Sequence, residues 1–172
     1  MRFFAPTFAL LLSGMALAPV ARGRQQAPPR CDTPEYRQFD FWVGDWTVTS
    51  GGTPAGVNRV TLEEAGCLVH EHWTGAGGGT GQSFNFYDRA DHRWHQVWVS
   101  SSGTVLFLSG QYADGRLEYA GEAPAVSGAG TAHQRLTFYR NADGSVRQLW
   151  QSSADGHDWQ TVFDGRYVRK AP

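Results

Sequence analysis

Glu71 and Arg135 are the two residues of this chain whose types best suit chemistry: an acid within "CLVHEHW" and a cation within "HQRLTFYR", each inside a run that reads as a β-strand. Brought into one cavity, they would form an acid and cation pair able to orient a polar ligand, or to serve an enzyme as acid or base and anion stabiliser. Left on a surface, they are ordinary charges. Because side chains alternate across a strand, the β-rich runs divide into two faces. One face collects Glu71, Trp73, Ser83, Asn85, Tyr87, Trp94, Gln96, Trp98, Arg135, Thr137, Gln148, Trp150 and Ser152. The other collects Leu68, Phe84, Phe86, Val97, Val99, Leu106, Leu108, Leu136, Phe138 and Leu149. With the aromatic and polar face inward, Glu71, Trp73, Asn85, Tyr87, Gln96, Trp98, Arg135, Gln148 and Trp150 would line a small-molecule site. The outward aliphatic face would then need cover, which a homodimer supplies. The reverse arrangement is a dry barrel with an exposed Trp, Gln and Arg surface. The first is preferred, because a carboxylate, a guanidinium and several amides converge from runs remote in sequence.

Other chemistries find less support. His70 and His72 share a strand face in "HEH", yet a zinc site needs three or four protein ligands and no third is in place, so no metal is assigned. The chain has no G-x-S-x-G elbow, no P-loop and no dinucleotide glycine fingerprint after a strand, while "GAGGGTG" is a loop between strands. No histidine is singled out as a haem ligand, and no cofactor is assigned. "SADGHDW", Ser153 to Trp159, resembles the Asp-box hairpin of sialidases but is one residue short before its Trp, and reads as a tight turn at Asp155-Gly156.

The elements that must position these residues begin after a leader. Met1 and Arg2 precede the uncharged apolar run "FFAPTFALLLSGMALAPV" and then small residues, so residues 1–23 read as a secretory signal peptide. Pro6 and Pro19 interrupt the run, which argues against a retained membrane span. Residues 24–32 form a polar, proline-bearing linker, and 33–172 form one domain. The chain carries 15 Lys and Arg against 16 Asp and Glu with no basic run, which excludes a nucleic-acid surface and an electrostatic membrane contact. The implied partner is a small molecule, and the implied location secreted or periplasmic. In an oxidising compartment Cys31 and Cys67, the only two cysteines, read as one disulfide. Closing a loop of that length stabilises by roughly 3 to 4 kcal/mol.

From Trp46 onward, short β-rich runs alternate with Gly-, Asp- and Ser-rich turns, and glycine makes up 21 of 172 residues. No internal repeat is present, so the fold class is all-β, a single antiparallel up-and-down barrel of about 8–10 strands. One short helix is expected, "TPEYRQFDFW", capped by Thr33 with Pro34 in its first turn. That helix leads into Gly44-Asp45-Trp46, which resembles the G-x-W signature of lipocalins and the wider calycin barrels. The resemblance implies that Gly44 and Trp46 close one end of the barrel and that Arg166 or Arg169, in "FDGRYVRK", covers the Trp46 indole. "FDFWVGDW", "GCLVHEHW", "GQSFNFYD", "RWHQVWVSSSG", "RQLWQSSADG" and "FDGRYVR" resemble the DUF1579-like exported bacterial family of unknown function, which implies a lipocalin-type barrel and no particular reaction. The expected function is binding of a small, partly apolar ligand without covalent chemistry. The alternatives are a cavity enzyme using Glu71 and Arg135, or a non-catalytic envelope structural or interaction module.

Overall fold

Turn chemistry sets the architecture. Asp114 and Gly115, with φ of 51° and 76°, join two strands through a two-residue reversal of the kind that matches strand twist. In the computed structural model, which describes Met1, residues 31–125 and residues 130–171, ten strands follow one another, each reversing direction on the last. They are β1 (Gly44–Ser50), β2 (Thr53–Glu63), β3 (Leu68–Gly75), β4 (Thr80–Asp88), β5 (Arg93–Ser100), β6 (Val105–Ala113), β7 (Arg116–Pro124), β8 (Thr131–Arg140), β9 (Val146–Ser153) and β10 (Gln160–Arg169). Every pairing is antiparallel between neighbours in sequence, and β10 returns to β1 to close the barrel. Closure leaves no free sheet edge among these strands. The leader proposed for residues 1–23 lies, beyond Met1, outside the described residues, as does residues 24–30 of the linker. Among the described residues, no helix is long and apolar enough to cross a membrane.

The expected single helix is instead two short 3₁₀ turns, Pro34–Arg37 and Asp40–Trp42. Thr33 does not cap the backbone; its Oγ1 donates to Oε2 of Glu35 at 2.6 Å. The reason lies in the spacing of the buried residues. Tyr36, Phe39 and Trp42 recur every third residue and are all buried, a spacing that suits the three-residue turn of 3₁₀ segments. The segment enters one end of the barrel. There Phe39 stacks on Trp42 at 4.9 Å and meets Phe138 edge-on at 4.9 Å and Trp94 at 5.7 Å.

Trp46 is fully buried beside this cluster and donates from Nε1 to the carbonyl of Trp42 at 2.9 Å. Arg169, paired with Trp46 across the β1–β10 seam, lies 4.5 Å over the indole and donates from Nη1 to the carbonyl of Val43 at 3.0 Å. Arg166 points elsewhere, to Asp143 at 2.7 Å. Gly44 has a φ of 147°, and a Cβ there would collide with the Arg169 guanidinium. The Cys31–Cys67 disulfide ties the N-terminal segment to the turn between β2 and β3 at this same end. Arg37 reinforces the tie by donating to the carbonyls of Cys31 and Gly66.

The interior is layered. An aromatic plug of Phe39, Trp42, Trp46, Trp94, Tyr119 and Phe138 fills the end reached by the N-terminal segment. Above it lies a buried polar layer, Asn58, Glu71, Ser83, Asn85 and Gln96. Outside, Phe84, Val99, Val105 and Phe107 form an exposed apolar strip across β4, β5 and β6, the face for which the sequence reading invoked a second subunit. Leu106, Leu108, Leu136 and Phe138, assigned to the same outer face, are buried inside instead. Antiparallel partners share a face, and Leu106 lies opposite Trp98, Leu108 opposite Gln96 and Leu136 opposite Trp150.

The plug makes the Trp46 site intolerant of truncation. Trp46→Ala should lower unfolding stability by about 3 to 5 kcal/mol, read as a fall in the urea midpoint, because the space it leaves is walled by other large side chains.

Candidate functional site

β-strand alternation brings Glu71 and Trp73 from β3, Gln96 and Trp98 from β5, and Gln148 and Trp150 from β9 to the barrel interior. With Leu106, Leu136, Val162, Phe163 and Tyr167 they line a cavity of about 220 Å³ at the end opposite the plug. That volume lies below the ~300–1,000 Å³ of drug-sized pockets, so the space suits a small molecule. Phe163 and Val162 both reach it because β10 shifts register between Thr161 and Phe163. This one-residue bulge places two successive side chains at the mouth.

Glycines make room for the aromatic walls. A Cβ on Gly81 would fall inside the outer edge of the Trp98 indole. One on Gly56 would come within 2.7 Å of Cη2 of Trp73, and one on Gly165 within 2.6 Å of Cζ of Phe163. Each ring therefore lies over bare backbone of its own or a neighbouring strand rather than standing in the lumen. Trp150 is held by a 2.7 Å hydrogen bond from Nε1 to Oε1 of Gln134, whose Nε2 donates to Oγ of Ser152 at 3.1 Å.

Glu71 sits where the cavity meets the polar layer. Its Oε1 accepts from Nδ2 of Asn58 at 2.9 Å and its Oε2 accepts from Oγ of Ser83 at 2.6 Å. Asn85 donates to that same serine oxygen at 2.9 Å, and its Oδ1 accepts from Nε2 of Gln96 at 2.9 Å and from the Tyr119 hydroxyl at 3.2 Å. No cation pairs with Glu71 among the described residues. Burial pushes its pKa up to about 7, against the opposing pull of the Ser83 and Asn58 hydrogen bonds and of nearby His70. Burial, and then the charge of Glu71, also raises the Tyr119 and Tyr167 hydroxyls far above their ordinary value, so both stay neutral.

The residues assigned to the site from sequence thus part company. Glu71, Trp73, Gln96, Trp98, Gln148 and Trp150 line the cavity. Asn85 is fully buried beneath it and acts through Gln96 and Ser83. Tyr87 lies near the plug, edge-on to Tyr36 at 5.3 Å. Arg135 is on the outer face: its guanidinium donates to Oε1 of Gln151 at 2.8 Å and lies 4.2 Å over Trp159. Register decides this, since Arg135 is paired with Gln151 while its neighbour Leu136 faces Trp150. The turn Ser153–Trp159 nearby is local structure, with Oδ1 of Asp155 accepting from the backbone of His157 and Asp158 at 2.8 and 2.9 Å. Leu106, Leu136, Val162, Phe163 and Tyr167 were missed. The two leucines are placed by the registers of β5 with β6 and of β8 with β9, and the β10 bulge by its register with β9, none of which has a mark in the sequence.

His70 and His72 are also outside, 4.0 Å apart between ring centres, with Nδ1 of His70 against the Glu63 carboxylate at 3.2 Å. Asp88, Asp91 and His95 gather at the plug end of β4 and β5, where Nε2 of His95 meets Oδ2 of Asp91 at 2.9 Å and backbone amides of the turn occupy one oxygen of each aspartate. Comparison with protein-family models and with characterised proteins finds no match to the chain.

The raised Glu71 carboxyl makes stability fall with pH. The folded state holds this proton more tightly than the unfolded chain, so the favourable contribution is complete below about pH 4.5 and is lost as pH rises through about 7. Wild-type protein should lose about 3 kcal/mol relative to Glu71→Gln across that window. Paired urea titrations at the two ends of the window measure the difference.

Proposed function

We propose that this protein is an exported, lipocalin-like barrel that binds a small, partly apolar molecule without covalent chemistry. The observation that carries the reading is the composition of the cavity: indoles of Trp73, Trp98 and Trp150 and the Phe163 ring surround the polar ends of Glu71, Gln96 and Gln148. Few polar groups among aromatic walls is the make-up of small-molecule sites. The glycines beneath the rings support it further, since the rings are held back from a lumen that larger residues would fill. The disulfide suits an oxidising compartment and hence export. The likeness to the DUF1579-like exported family belongs to the same proposal. The enzymatic alternative required Glu71 and Arg135 in one cavity, and Arg135 lies outside it.

A charge series with one aromatic body tests the reading: phenethyl alcohol, phenethylammonium and phenylacetate, titrated by calorimetry and by tryptophan fluorescence up to millimolar concentration. At least one should bind with 1:1 stoichiometry. Gly81→Ala, which drives the Trp98 ring into the lumen, should weaken that binding by about 1 to 3 kcal/mol while the barrel stays folded. Arg135→Ala should leave it unchanged. Silence from all three compounds, or equal binding by wild type and Gly81→Ala, overturns the reading.

A further inference from the structure

We infer that the ligand is an organic cation, an ammonium group on a small apolar or aromatic body, with the ammonium held by Glu71. The inference rests on the cavity-binding reading above and adds the charge and polarity of the ligand.

The first support is charge balance. The cavity is lined by one carboxylate and no Lys, Arg or His. Glu71 is 4 % exposed, so its charge is removed from water without a countercharge. A buried carboxylate of this kind is costly unless something positive joins it.

The second support is the sense of the hydrogen bonds. Both Glu71 oxygens already accept one bond each, and a carboxylate offers about four acceptor sites, so two remain. Gln96 commits its Nε2 to Asn85, which leaves its carbonyl oxygen without a donor among the described residues. Gln148 uses its own carbonyl to accept from Tyr167 and retains a further lone pair. Oδ1 of Asn58, beside Glu71, is buried and has no donor. The lining also presents donors without partners among the described residues, the Gln148 amide and the Trp73 and Trp98 indole N–H groups, but the free acceptor sites of Glu71 are the ones that carry charge, and they call for a positively charged N–H donor, which an ammonium provides and a carboxylate or ether does not.

The third support is the wall. Five aromatic side chains, Trp73, Trp98, Trp150, Phe163 and Tyr167, border the cavity. Aromatic faces attract cations, most strongly where water is excluded, and they also pack an apolar body.

The groups that bear on Glu71 from each neighbouring element are few. Asn58 and Val60 of β2 and Ser83 of β4 are uncharged, and His70 and His72 of β3 itself project outward. Tyr119 of β7 and Tyr167 of β10 stay neutral. Proton loss from Glu71 therefore governs the charge of the cavity. With its pKa pushed up to about 7, the carboxyl must ionise to receive the cation, and binding expels its proton.

The charge series read in rank order, with pH, decides this. Near about pH 8, phenethylammonium should bind at least about tenfold more tightly than phenethyl alcohol, and phenylacetate most weakly. The ammonium affinity should fall by up to about tenfold for each pH unit below 7, while that of the alcohol stays level. Glu71→Gln should bring ammonium and alcohol to similar affinity and flatten the pH profile. Phenethyl alcohol or phenylacetate binding as tightly as the ammonium would overturn the cation inference and leave cavity binding standing. Failure of all three to bind would overturn both. Should Glu71→Gln not fold, the wild-type rank order and pH profile still decide.

Discussion

Packing of Phe39, Trp42 and Trp46 into one end of the barrel is the interaction on which the rest of the structure depends. A ten-stranded barrel is wide enough to leave space that strand side chains alone do not fill, and that space must be occupied or made useful. Here the N-terminal segment supplies the filling. Its Tyr36, Phe39 and Trp42 are buried at three-residue spacing, Trp46 anchors to the carbonyl of Trp42, and Arg169 covers the indole across the β1–β10 seam. The disulfide and Arg37 hold the segment against the β2–β3 turn. With one end sealed by local packing, the other can remain hollow without loss of closure.

The polar layer between plug and cavity is harder to account for by stability. Asn58, Glu71, Ser83, Asn85 and Gln96 are nearly all satisfied by one another, so the layer is internally consistent. An apolar layer of similar volume would nonetheless avoid burying a carboxyl at all. Buried ionisable groups with shifted pKa values concentrate at functional sites, and Glu71 also borders the cavity. The network fixes the carboxyl in position at the border of the cavity, with one hydrogen bond to each of its oxygens. The glycines at 56, 81 and 165 complete the arrangement, because a methyl group at any of them would push an aromatic ring off its bed.

Much of this was legible in the sequence, and for definite reasons. Period-two alternation between glycine- and aspartate-rich turns specifies hairpins, and ten β-rich runs correspond to the ten strands. The two cysteines form the bond that their number and context implied. Runs with aromatic and polar residues on one phase, such as "LVHEHW" and "RWHQVW", declared their inner face, and six of the residues assigned to the site line the cavity.

What the chain alone determined was local: where it reverses, which residues share a face within one strand, and which segment carries the aromatic plug. Only the tertiary structure decided how faces of different strands combine. Arg135 was grouped with Trp150 by residue type, but the β8–β9 register places Leu136 opposite Trp150 and turns Arg135 out. Tyr87 shares the inner phase of β4 with Ser83, yet lies farther along the strand and meets the plug instead of the lumen. The bulge that delivers Val162 and Phe163 to the mouth depends on a register shift against β9. Alternation is a property of one strand and is fixed by backbone geometry, whereas register and depth are properties of a pair and of the whole closed sheet, set by contacts between residues far apart in the chain.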